Sequence, residues 1–227
     1  MDATIAEPSR IRSFQSPESE LTRPLDAGHP VGSNNAILYR IASVAGTGSA
    51  LILLVNAAKR AALIPATNLT QLLAPFAEVL ALAFVIGLFM AFGRRAGIFG
   101  IVAFIINFIA LACLEGVEVV INLIFAKLPK ETIGELLAGP LGAMLTATSL
   151  LFLFGSIAFA VSMVRANGIP RLALALYALA SVPIAFRAFV PELALDLGLA
   201  ALAIAISWLS ASLWVYARTS LVIRETR

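Results

Sequence analysis

Side chains that do chemistry are scarce in this 227-residue sequence. It holds one histidine (His29), one cysteine (Cys113), three lysines (Lys59, Lys127, Lys130) and three aspartates (Asp2, Asp26, Asp196), and 13% of its residues are charged. A serine or cysteine hydrolase needs a base beside its nucleophile, and His29 lies in a polar leader far from Cys113 and from every apolar stretch. A catalytic zinc needs three protein ligands and a bis-histidine haem needs two histidines, so both are excluded. A retinal pigment needs a mid-helix lysine, whereas all three lysines fall between apolar runs, and no pair of aspartates sits within one. No glycine-rich phosphate loop lies between a strand pattern and a helix. A lone cysteine closes no internal disulfide and says nothing of redox compartment. What remains is glutamate, as acid, base or cation ligand, with no cofactor expected.

What is abundant is apolar. Hydrophobic residues make up 60% of the chain and the mean hydropathy is +0.96, far above an ordinary soluble domain. About 20 mostly apolar residues cross a hydrocarbon core about 30 Å thick, and six stretches meet that length: Ile37–Ala57, Leu72–Phe92, Ile98–Phe125, Leu141–Val164, Leu172–Phe189 and Leu193–Ala217. The expected fold is an all-α polytopic membrane bundle of six transmembrane helices over residues 36–218. Residues 1–35, punctuated by Pro8, Pro17, Pro24 and Pro30, read as a disordered tail, and 219–227 as a short C-terminal one. The first apolar stretch starts too late and runs too long for a cleaved signal, so it reads as a retained helix.

Arginine and lysine set the expected orientation. Arg10, Arg12, Arg23, Arg94, Arg95, Arg165, Arg171, Arg218, Arg224 and Arg227 fall on one side; Lys59, Arg60, Lys127, Lys130 and Arg187 fall on the other. Ten against five puts both termini in the cytoplasm, in an inner membrane. The net charge of +3 then needs no nucleic-acid partner; the partners expected are the bilayer and either a second copy or another membrane subunit. A short echo, Arg95-Ala96-Gly97-Ile98 against Arg165-Ala166-Asn167-Gly168-Ile169, reads either as two similar hairpins or as one kind of tight turn used twice. Gly168-Ile169-Pro170-Arg171 ahead of an apolar run resembles the Ile-Pro-Arg turn before a late helix in uncharacterised bacterial multi-pass membrane proteins, which also carry an acidic residue in an earlier helix. That resemblance implies a multi-pass fold and no particular activity.

Function should show where polar residues enter the hydrocarbon, because a charge there costs about 2.5–3.5 kcal/mol on insertion scales. The third span carries Asn107, Leu111, Glu115, Glu118 and Asn122 at spacings of 4, 4, 3 and 4, a stripe along one side of a helix. At 1.5 Å per residue, Glu115 lies about 25 Å from the cytoplasmic end of its span, Glu78 about 21 Å, Arg187 about 25 Å and Asn56 about 30 Å. Thr146, Thr148 and Ser149 open the fourth span at a similar height, and Glu192 and Asp196 begin the sixth. The expected site is therefore an outward-facing polar pocket of Glu78, Glu115, Glu118, Asn122 and Arg187, with Arg187 paired to one glutamate and Glu115 foremost among the acids. Its surplus negative charge would be met by a proton or a cation. The competing reading has these residues reaching up to interfacial water.

Pro183 and Pro191 bracket Arg187, either freeing the Leu179 carbonyl at a kink or closing a loop. Ala42, Gly46 and Ala50, with Ser43 and Thr47 alongside, form a small-residue face for close helix packing within the bundle or between copies. Ser207, Trp208, Ser210, Ser212, Trp214 and Tyr216 crowd the last span as an aromatic belt or an aromatic ligand site. Residues 126–139 read as a short interfacial helix. The leading functional class is a small transporter or ligand-binding membrane protein. The alternative is a non-catalytic subunit or scaffold of a membrane complex, and a glutamate-dependent lipid enzyme comes third.

Overall fold

The computed structural model describes residues 31–225, and side chains within 34–219. Seven α-helices follow in order: α1 (Val31–Arg60), α2 (Asn68–Ala91), α3 (Gly97–Val119), α4 (Lys130–Ala138), α5 (Pro140–Ala166), α6 (Arg171–Ala185) and α7 (Glu192–Glu225). A 3-10 turn (Gly93–Ala96) joins α2 to α3, and α3 runs on through a π-helical turn (Val120–Ile124) and a second 3-10 turn (Phe125–Lys127). Every regular element among the described residues is helical. Residues 1–30 of the expected tail lie outside the described residues; α1 begins at Val31, before the expected Ile37, and α7 continues beyond Ala217.

Five helical segments are long and apolar enough to cross a membrane: Asn34–Arg60, Asn68–Ala91, Gly93–Lys127, Pro140–Ala166 and Glu192–Thr219. The remaining expected span is shorter than its apolar stretch, because α6 has 15 residues, about 22 Å of rise. It stops at Ala185, two residues after Pro183, which has no N–H to donate to the Leu179 carbonyl; the last bond of the helix runs from the Phe186 amide to the Val182 carbonyl at 3.1 Å. The Pro183 ring lies on Gly198 of α7, where a Cβ would fall 2.5 Å from the ring. Pro191 instead opens α7, its carbonyl accepting from the Ala194 and Leu195 amides at 2.9 and 3.2 Å.

The outside of the bundle is greasy. Ile37, Ile41, Val44 and Leu51 on α1 and Ile98, Val102, Ile105 and Ile109 on α3 are exposed, whereas Phe84, Phe152, Phe159 and Met163 are buried. Such an inversion of the usual outward-polar pattern suits a lipid solvent, in which each helix satisfies its own backbone. Helix α3 packs on α2 and α5, α6 lies between α5 and α7, and α7 returns to α2. The small-residue face of α1 turns into the bundle: Ala42, Ser43 and Ala50 are buried, and the Ser43 hydroxyl donates to the Ser210 carbonyl at 2.7 Å. Asn167 and Gly168 turn the chain from α5 to α6 at φ of 58° and 93°, a region that Asn and Gly tolerate best.

Helix α2 starts at a reciprocal cap. Thr67 Oγ1 accepts from the Thr70 amide at 3.2 Å, and Thr70 Oγ1 accepts from the Thr67 amide at 2.9 Å. Thr67→Ala removes one half of this exchange and is expected to cost about 1 kcal/mol, read as a lower thermal midpoint in detergent, with Thr67→Ser close to wild type.

Candidate functional site

One end of the bundle gathers charges from three helices and the turn after α6. At the end of α1, Arg60 forms ion pairs with Glu192 and, at 3.4 Å, with Asp196 in the first turns of α7. One residue earlier, Lys59 Nζ donates to Asn122 Oδ1 at 2.6 Å. Asn122 Nδ2 in turn donates to Glu118 Oε2 at 2.8 Å and to the Glu118 carbonyl at 3.0 Å. Arg187, in the turn after α6, places Nη1 3.8 Å from Glu118 Oε1. Glu118 is therefore the acid that Arg187 faces, and Lys59 joins the same network through an amide.

Glu115 stands apart from that network. Successive residues on an α-helix rotate by about 100°, so Glu115 lies about 80° from Asn107 whereas Glu118 lies about 20° from it. Asn107 is fully buried and marks the inward side, so Glu118 shares its face and Glu115 falls at the flank. There Glu115 lines a separate hollow of about 170 Å³ with Leu72, Pro75, Phe76 and Val79 of α2. Asn122 would drift the same way on a regular helix, but the π-helical turn at Val120–Ile124 rotates less per residue and carries it back inward. Such turns recur at functional sites because one extra residue re-aims a side chain.

Three small cavities descend from the charged end. The first, about 90 Å³, is lined by Asn56, Lys59, Glu118, Asn122 and Arg187. The second, about 20 Å³, shares Asn56 and Glu118 with it and reaches Glu78. The third, about 10 Å³, lies between Glu78, Ser49 and Tyr177. A water occupies roughly 10–15 Å³ on this measure, so the lower two each have the size of about one water. Glu78 is 7% exposed, and its carboxyl group has no hydrogen bond or ion pair among the described residues. The Ser49 hydroxyl is buried and without a partner. Below them Asn107 Nδ2 donates to the Tyr177 hydroxyl at 3.5 Å, and the Ser156 hydroxyl donates to Asn107 Oδ1 at 3.4 Å.

The charges explain why Glu78 is distinctive. Lys59, Arg60 and Arg187 are matched by Glu118, Glu192 and Asp196 around the mouth; of the two acids left over, Glu115 lies half-buried at the flank and Glu78 is buried, a turn or more deeper than the mouth. A carboxylate buried without a partner is strongly disfavoured, so it calls for water, a proton or a cation beside it. Sequence reasoning counted Lys59 and Arg60 as loop charges and passed over Ser49 and Tyr177; the signal for the last two was a polar residue in the middle of an apolar run. Thr148 is buried in α5, while Thr146 and Ser149 line a larger apolar groove of about 950 Å³ beside α4.

At the opposite end the aromatics hold helices together. Tyr216 lies 4.6 Å from Phe92 and 5.8 Å from Tyr39, and Trp214 receives the Arg40 and Arg218 guanidinium groups at 5.6 and 6.0 Å. No protein-family model, curated protein or solved structure matches the chain.

Proposed function

We propose that this chain is a six-span inner-membrane protein with both termini cytoplasmic. In this reading it takes a proton or small cation from the extracytoplasmic side to Glu78, as a small transporter or a ligand-binding membrane protein. The observation that carries the reading is the run of cavities from the Arg187–Glu118 pair to an unpartnered, buried Glu78. Helix α6 and the turn after it bring the chain back to the charged end, which supports a sixth crossing, and an even number of crossings leaves the termini together. The arginine-rich connections at the other end support its assignment to the cytoplasm.

Within the pocket the roles divide. Arg187 and Asn122 hold Glu118 in place and keep the mouth neutral, so neither a cation nor an anion is repelled at entry. Glu78 supplies the charge that a cation would meet, and Ser49 and Tyr177 supply oxygens on the far side of the same cavity.

Glu78→Gln tests this, since an amide keeps the shape of the neutral acid while removing the charge. In mild detergent at constant ionic strength, with choline as the inert replacement, a bound cation such as sodium or potassium is expected to raise the thermal midpoint of wild type by several degrees. The variant should fold and lose that rise. An undiminished rise in Glu78→Gln, or none in wild type across the cations tested, would remove the support for a cation at Glu78. A proton ligand would leave wild type without a cation response; proteoliposomes under an imposed pH gradient should then show proton uptake that Glu78→Gln abolishes.

A further inference from the structure

The groove beside α4 has a composition unlike that of the charged pocket it adjoins. It has a volume of about 950 Å³ and runs between the end of α3, α4, the first half of α5 and the turn after α6. This is at the upper end of the range in which small-molecule sites fall, roughly 300–1,000 Å³. Its walls are apolar, including Val117, Leu137, Leu145, Leu150 and Phe189, and its single charged lining residue is Arg187. The Thr146 hydroxyl on the same wall is already used, donating to the Gly142 carbonyl at 2.9 Å.

Arg187 and Ile121 line both this groove and the mouth of the charged pocket. The guanidinium has five N–H donors, and its ion pair with Glu118 spans 3.8 Å, longer than a direct hydrogen bond. Donors are therefore free at the point where an apolar trough meets a polar opening. A long apolar wall ending at one cation, with no acid along it, matches a molecule with a hydrocarbon chain and an anionic head. Arginine suits that head because its planar fork meets phosphate oxygens two at a time.

We propose that this groove is a binding site for one anionic phospholipid, its acyl chain along α5 and its phosphate on Arg187. The site does not depend on Glu78 or on any ion bound there, so it stands or falls separately from the cation reading. Short α4, amphipathic and with every residue at least partly exposed, forms the lip over which the chain enters from the bilayer.

The test is native mass spectrometry of the full chain released from detergent with dioleoyl phosphatidylglycerol or dioleoyl phosphatidylcholine. Wild type is expected to retain one phosphatidylglycerol and to prefer it over phosphatidylcholine by about tenfold, the scale of one charge-assisted hydrogen bond. Arg187→Gln should lose the preference and keep weak binding of either lipid. Ala147→Phe, which fills the groove from α5, should lose both while Glu78→Gln binds as wild type does. Arg187→Lys, retaining the charge without the fork, should be intermediate and serves if Arg187→Gln fails to fold. Equal retention of the two lipids by wild type, preference surviving in Arg187→Gln or Arg187→Lys at the wild-type level, or a dimer that Ala147→Phe converts to monomer would each overturn the proposal, the last because a second copy would then fill the groove.

Discussion

Gly155→Leu is expected to abolish most of the folded protein. Helix α5 meets α3 at this residue so closely that a Cβ would fall 2.9 Å from the Asn107 Cα, 3.2 Å from its amide nitrogen and 3.3 Å from the Ile106 carbonyl carbon. All three are backbone atoms, so no rotamer change relieves the clash and the two helices must separate. Separation also pulls apart the hydrogen bonds from Ser156 to Asn107 and from Asn107 to Tyr177, which are already 3.4 and 3.5 Å long. Overpacking alone costs about 1–3 kcal/mol, and each buried polar group left unpaired adds about 1–3 kcal/mol. The expected total of at least about 3 kcal/mol is a large part of a typical stability. The readout is the monodisperse fraction on size exclusion in mild detergent, with Phe154→Leu beside it as control, since Phe154 is 64% exposed. A normal yield and unchanged midpoint for Gly155→Leu would show that the two helices do not touch here.

Glu118→Ala should be the most damaging change in the charged pocket. It strips Arg187 of its counter-charge and Asn122 of an acceptor, and through Asn122 it loosens Lys59. Breaking a fully buried pair costs about 3–5 kcal/mol, but the Arg187 and Glu118 side chains are 28% and 16% exposed. Water screens part of that interaction, so about 2 kcal/mol is expected. The decisive comparison is with Arg187→Gln and the double variant. If the two residues act on each other, the double variant should recover about 1 kcal/mol relative to the sum of the singles. Strictly additive losses would mean that the pair contributes no coupling and that Glu118 acts through Asn122 alone.

Hydropathy revealed the helices because a membrane span must satisfy its backbone within itself; the information is local, and α2 and α5 start and stop close to the apolar runs that predict them, α3 covers its run only with the π-helical and 3-10 turns that follow it, and α7 starts with its run but continues to Glu225, past the expected Ala217. It misjudged α6, whose apolar run continues to Phe189 although the helix ends at Ala185, since hydropathy does not register the missing donor of Pro183. The site was legible in part. That Glu78, Glu118, Asn122 and Arg187 all lie toward the same end of the bundle follows from counting residues along separate helices. Which acid meets the guanidinium does not, because Glu115 and Glu118 differ little in height and mainly in azimuth.

Azimuth was decided by the tertiary structure. The rotation of α3 follows from where α2 and α5 press on it, and the π-helical turn then resets the direction of Asn122, so a stripe drawn on an ideal helix errs just where the charges gather. The partnerships of Lys59 with Asn122 and of Arg60 with Glu192 and Asp196 join residues more than 60 positions apart, and no local pattern encodes them. The amino-acid order by itself determined a lipid-facing helical chain with acids toward one end of its helices. The packing of helix on helix decided that one of those acids, Glu78, would be left without a partner in a cavity of about one water's size.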